Sequence, residues 1–373
     1  MSKSVSAIVS LLFVACVCVL IHPAWTLLGA AGIVSALVLI RILKPAGTDS
    51  RPDGPRPGRF LRYAAAGSVA MLAPGLVWAG PVTPTSFNGV TTVLPTPGIT
   101  LGQTEGVGLD SLGNGYIADA GNNRIVEVSA AGVASVVAFP GLSPVLSAPH
   151  GVAVDGSGNL YVSDSGNARV VELSAGGVAS VVNTGSLLTD GSPFGLALDA
   201  AGDLYISDVA HGDIVEVPAG GAAAVLVITG LGTRLNVPRG VAVDLSGNLY
   251  IADDLNNRIV KVTTPVEGTG AGTVLTITGL STALYAPTAV ALDGLGNLYI
   301  ADSGNSRVVT VTPAGVSAVL SLGSYTLNSP IGVAVSVWGA IYIVDLTNSR
   351  IVEAQPMSVG FGHLQNGAVS GTT

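Results

Sequence analysis

Charge is scarce in this sequence. Only 10% of the 373 residues are Asp, Glu, Lys or Arg, against about 25% in an ordinary soluble domain. Aromatic residues are scarce too, at 5%. Cysteine is nearly absent: Cys16 and Cys18 are the only two, and both lie in the first apolar run. No disulfide framework can hold the remaining chain, so a packed core has to. A C-x-C pair inside an apolar stretch reads as filler rather than as a metal site. Phe13 stands where a lipoprotein signal ahead of Cys16 usually carries Leu. Basic charge is missing from most of the chain. Residues 81–373 balance to −13, whereas residues 1–80 balance to +5. A domain so acidic repels phosphate backbones, which argues against a nucleic-acid partner. What is abundant is glycine, at 50 residues, as suits many short strands joined by tight turns.

Three apolar runs open the chain, at residues 5–21, 25–40 and 64–79. Each sits at the low edge of the length needed to span a bilayer. Arg41, Lys44, Arg51, Arg56, Arg59 and Arg62 lie between the second and third runs. The positive-inside rule puts that stretch in the cytoplasm. The expected layout is a hydrophobic helical hairpin at 1–44, a basic Pro-rich linker at 45–63 and a third segment at 64–80. The third segment reads either as a membrane anchor or as a signal peptide cleaved near Ala79, since Val77-Trp78-Ala79 ends small. On either reading the chain after residue 81 is outside the cytoplasm, at the cell envelope or secreted, with the membrane as a partner through the N-terminal segments.

The remainder is built by repetition. Strands of the form [LIG]-Y-[IV]-x-D end at Asp119, Asp164, Asp208, Asp253, Asp302 and Asp345, 43 to 49 residues apart. Five residues after each come Arg124, Arg169, Asp213, Arg258, Arg307 and Arg350. Three residues after each come Asn122, Asn167, His211, Asn256, Asn305 and Asn348. Each unit holds four short β-branched runs separated by Gly/Asn turns, which is the pattern of a propeller blade. The fourth run, G-V-x-x-V, is missing after Arg350 but stands ahead of the first unit, at 89–93. The expected fold is all-β, a six-bladed propeller over 81–355 whose last blade is closed by 89–94. Closure of this kind removes exposed sheet edges. Residues 356–373 read as a disordered tail or a remnant of an Ig-like strand.

The unit P-x-G-V-A-V-D-x-x-G-N-L-Y-[IV]-[AS]-D-x-x-N-x-R-[IV]-V, nearly complete at 149–171 and 238–260, resembles the NHL-repeat family. The resemblance implies a propeller similar to the extracellular sensor domains of bacterial receptor kinases. More distantly it looks like streptogramin lyase-like propellers. The third blade departs from the motif at His211 and Asp213, the fifth at Ala289 and the sixth at Ser336.

Residues repeated in every blade build the blade, and a site has to break the repeat. The pairs Asp119/Arg124, Asp164/Arg169, Asp253/Arg258, Asp302/Arg307 and Asp345/Arg350 therefore read as structural ties across a turn. One position varies inside constant surroundings, the residue before the Gly that opens each blade. Round the ring it is Glu105, His150, Phe194, Arg239, Thr288 and Ile331. Placed on the connection into each blade, near the central funnel, these six form a candidate ligand-binding mouth. The alternative is an exposed loop position under weak constraint. His150 is the leading candidate base, because imidazole titrates near neutrality, and Glu105 is its candidate partner. No phosphate loop and no paired nucleophile and base stand out. The preferred expectation is a non-catalytic binding or sensor module for an unknown protein, small-molecule or glycan ligand, without a cofactor. The alternative is a propeller lyase or hydrolase using the funnel, for which the resemblance allows a divalent metal.

Overall fold

The computed structural model describes residues 91–355, except 190, 191 and 267. The expected helical hairpin, linker and third apolar segment, and the tail at 356–373, lie outside the described residues. Among the described residues no helix is long and apolar enough to cross a membrane. The expected membrane tether and membrane partner are corrected accordingly and not carried further.

The six repeats fold as six sheets around an axis, one blade each, antiparallel but for one added strand in the fourth. In the second blade the strands are Pro149–Val154, Leu160–Asp164, Arg169–Leu173 and Ala179–Val181, from the axis outward. The local chemistry explains the turns. Asp164 pairs in register with Arg169, across a single 3-10 turn, Ser165–Asn167. The turn closes on Ala168 at φ +52°, a left-handed conformation that Asn adopts at the matching Asn123 and Asn257. The β-branched runs then bury completely: Val162, Val170 and Val171 are each 0% exposed. Burial of such a side chain is worth about 1.5–3 kcal/mol.

The apolar clusters form between blades, which is what holds the ring together. Val170 of the second blade packs with Leu196, Leu204 and Ile206 of the third. At the seam, Ile351 packs with Ile117 and Val126, and Val107 with Ile331 and Val344. The seam is also hydrogen-bonded: Thr91–Val93 runs antiparallel to Arg350–Ala354 and supplies the fourth strand of the last blade. The fourth blade is larger than its neighbours. Its third and fourth strands, Arg258–Val266 and Thr269–Val274, make a long hairpin. Val227–Thr229 adds a fifth strand, parallel to Thr269–Val274. That hairpin accounts for the longest repeat spacing, 49 residues between Asp253 and Asp302.

Candidate functional site

Glycine sets the width of the axis. A Cβ on Gly106 would land on the carbonyl oxygen of His150, one on Gly151 on that of Phe194, and one on Gly195 on that of Arg239. The innermost strand of each of these blades thus abuts the residue before the next blade's glycine. Only a residue without a side chain allows that approach. This Gly, replaced by Ala289 in the fifth blade alone, is therefore the packing element, and the residue before it is free to vary.

Those varying residues do not sit on the connections between blades, as the sequence reading placed them. Each is the second residue of an innermost strand: Glu105 in Thr104–Leu109, His150 in Pro149–Val154, Phe194 in Pro193–Leu198, Arg239 in Pro238–Val243, Thr288 in Pro287–Leu292 and Ile331 in Pro330–Val335. The pairing register shifts just there in all six blades. Such a shift re-aims side chains without ending the strand. Glu105, His150, Phe194, Thr288 and Ile331 line one cavity of about 80 Å³ at the axis. Four of the five are buried and His150 is half-buried. Arg239 joins the group through Phe194: its Cζ lies 4.9 Å from the ring centroid. The His150 ring stacks on Phe194 with centroids 4.7 Å apart and planes 23° apart.

Hydrogen bonding fixes the state of His150. Its Nδ1 is 2.6 Å from Ser165 Oγ. The single hydroxyl proton of Ser165 goes to the Pro193 carbonyl, which can only accept. Toward His150 the serine oxygen therefore accepts, so Nδ1 carries the ring proton and Nε2 keeps its lone pair. Burial, and next the positive charge of Arg239, hold the imidazole pKa down to about 4. The ring is neutral at pH 7, with Nε2 available as a base.

Glu105 is pushed the other way. Burial raises its pKa above the ordinary 4.5, against a hydrogen bond from Gln103 and the charge of Arg239. Gln103 Nε2 donates to Glu105 Oε1 at 2.6 Å. One cavity thus holds an imidazole biased toward its base form and a carboxyl biased toward its acid form. Opposed shifts of this kind mark acid–base assignments.

A second varying position supports the first, and the sequence reading passed over it. The residue after each repeat Asp is Ala120, Ser165, Val209, Asp254, Ser303 or Leu346. Ser165 bonds His150, Asp254 Oδ2 accepts from Arg239 Nε at 2.6 Å, and Leu346 packs in the Ile331 cluster. The signal was present: the two positions, fifteen residues apart, change chemistry together.

The repeat Asp residues do a different job. Asp119, Asp164, Asp253, Asp302 and Asp345 are fully buried. Each meets its arginine Nε at 2.6–2.7 Å. Each also accepts a backbone N–H from the strand-entry loop, as Asp302 does from Tyr285. In the third blade His211, at the Asn offset, reaches Asp208 through Nδ1 at 2.7 Å, and Asp213, at the arginine's offset, pairs with Arg234.

Among the described residues no group of three or more His, Cys, Asp or Glu side chains could hold a metal ion. Glu105 and His150 alone do not make a ligand set of the size such ions need. The divalent metal allowed by the family resemblance does not fit this funnel.

Residues 146–173 and 284–310 match the NHL repeat model. No curated protein matches the sequence significantly. Similar solved structures are propellers at low identity. A catalytically inactive virginiamycin B lyase from Staphylococcus aureus, with quinupristin, is 12% identical at TM-score 0.53, covering 72% of this chain and 99% of that one. A gluconolactonase from Xanthomonas campestris is 14% identical at TM-score 0.56, covering 72% and 89%. An auxiliary nutrient binding protein from Bacteroides ovatus is 14% identical at TM-score 0.58, covering 73% and 78%. With six blades closed by an N-terminal strand and NHL repeats matched at 146–173 and 284–310, the chain has an NHL-repeat, six-bladed β-propeller fold, which it shares with streptogramin-lyase and gluconolactonase propellers.

Proposed function

We propose that this propeller is a lyase or hydrolase that works at the mouth of its central funnel. The observation that carries the reading is the pair His150 and Glu105, in one cavity with pKa values displaced in opposite directions. The earlier expectation of a non-catalytic sensor module is corrected. The likeness runs to a virginiamycin B lyase and a gluconolactonase. The nutrient binding protein shares the ring as well, so fold alone does not choose, and the displaced pair favours catalysis.

His150 Nε2 takes a proton, from a C–H in an elimination or from water in a hydrolysis. Glu105 gives its proton to the departing oxygen, so charge does not build up in the buried cavity. Ser165 keeps the imidazole in the tautomer that does this. Phe194 holds the ring by stacking, and Ile331 supplies an apolar wall. The cavity is well below the 300–1,000 Å³ of sites that enclose a whole ligand. It takes in a small reacting group while the body of the substrate lies across the mouth. The propeller is placed outside the cytoplasm in this proposal, on the signal-peptide pattern of residues 59–79, basic at its start and ending in the small residue Ala79.

The test is turnover of cyclic depsipeptide and sugar-lactone panels by the full chain. The expected result is product formation that falls about 10²–10⁴-fold in His150→Ala. Binding without turnover, or an unchanged rate in His150→Ala, overturns the reading.

A further inference from the structure

Five arginines of the blades share one arrangement, and Arg239 departs from it. Arg124, Arg169, Arg258, Arg307 and Arg350 each spend Nε on the repeat Asp and Nη2 on a backbone carbonyl, those of Thr100, Pro144, Thr233, Thr282 and Thr326. Arg234 donates from Nη2 to Asp213, out in solvent. Arg239 spends only Nε, on Asp254, and lies over the Phe194 ring. Its two Nη groups have no hydrogen-bond partner among the described residues, and its side chain is 32% exposed. Asp254 is itself buried, and its Oδ1 has no partner. The ion pair is therefore single-pronged, and it fixes the guanidinium plane while leaving the outer edge open.

We propose that Arg239 is the carboxylate-binding group of the funnel, held in place by Asp254 and Phe194, so that the substrate is a monocarboxylate docked on the two Nη groups. The proposal rests on the reading of the funnel as a reaction site and deepens it by naming the substrate class. A carboxylate matches the planar fork of two parallel N–H donors. Asp254 already offsets one unit of charge. A monoanion is therefore accommodated better than a dianion such as sulfate. Arg239 is the cation that bears on both His150 and Glu105. A bound carboxylate screens that charge, so His150 reports on occupancy, with Glu105 and Asp254 as the other titrating neighbours.

The experiment follows the His150 ring signals by NMR in the full chain. Acetate, acetamide and sulfate are titrated in at matched ionic strength. Acetate is expected to raise the His150 pKa saturably, acetamide to leave it alone, and sulfate to act more weakly. Arg239→Gln is expected to raise the His150 pKa outright and abolish the acetate response. Arg234→Gln keeps it, and backbone amide spectra unchanged away from each substituted site report an intact ring in both variants. A response that survives Arg239→Gln, an equal response to acetamide, a stronger response to sulfate or no response at all overturns the proposal. Turnover that needs His150 but is untouched by Arg239→Gln overturns it too, while leaving the lyase or hydrolase reading in place.

Discussion

Ser165 stands 2.6 Å from Nδ1 of His150 while giving its only proton to the Pro193 carbonyl of the next blade. This relay spans two blades and sets which imidazole nitrogen is free. Ser165→Ala is expected to release the ring into a mixture of tautomers. Nitrogen-15 chemical shifts of His150 check this. The native protein should show a protonated Nδ1 and a bare Nε2, and Ser165→Thr should preserve that pattern. A bare Nδ1 in the native protein contradicts the relay.

The displaced imidazole also bears on stability. Its folded pKa of about 4 lies below the ordinary 6.5, so between those values the unfolded chain binds the extra proton. Stability from this group is complete above pH 6.5 and is lost as pH falls toward 4. Denaturant midpoints of native protein and His150→Phe, compared from pH 7 to pH 4, should diverge, with the native protein losing more. Parallel curves contradict the shift.

Gly151 faces the Phe194 carbonyl with no room for a Cβ, whereas Gly156, in the first turn of the same blade, has nothing within 4 Å. Gly151→Ala should destabilise by about 1–3 kcal/mol or more, as overpacking does. Gly156→Ala should change stability by less than about 0.5 kcal/mol. Thermal or denaturant unfolding decides between them.

Asp302 is fully buried and holds Arg307 Nε at 2.7 Å, Asn305 Nδ2 at 2.9 Å and the Tyr285 N–H at 2.8 Å. Removing it strands the partly buried Arg307 and opens the loop into the fifth blade. Asp302→Ala is expected to cost about 3–5 kcal/mol, the usual cost of breaking a buried pair. A loss below about 1 kcal/mol would show that water replaces these bonds.

The ring was legible because its ties repeat. A buried Asp recurs in all six turns, with an Asn and an Arg at fixed offsets in five of them, and the Asp spacing counts the blades. Glu105, His150, Phe194, Arg239, Thr288 and Ile331 were legible for the opposite reason, as variation beside a position that is Gly in five blades and Ala289 in the fifth. Their placement inside strands was not legible, because a register shift is a property of pairing and leaves no residue signature. Ser165 and Asp254 were missed because each looks like an ordinary turn residue after the repeat Asp. Only the folded ring brings them against His150 and Arg239. The N-terminal apolar runs invited a membrane reading that the described residues do not support.

The central claim is that the funnel holds a base and an acid displaced in opposite directions. Titration of His150 and Glu105 side-chain NMR signals in the same sample tests it most directly. The account predicts a His150 pKa near 4 and a Glu105 pKa above 4.5. Values of about 6.5 for the imidazole and about 4.3 for the carboxyl would contradict it.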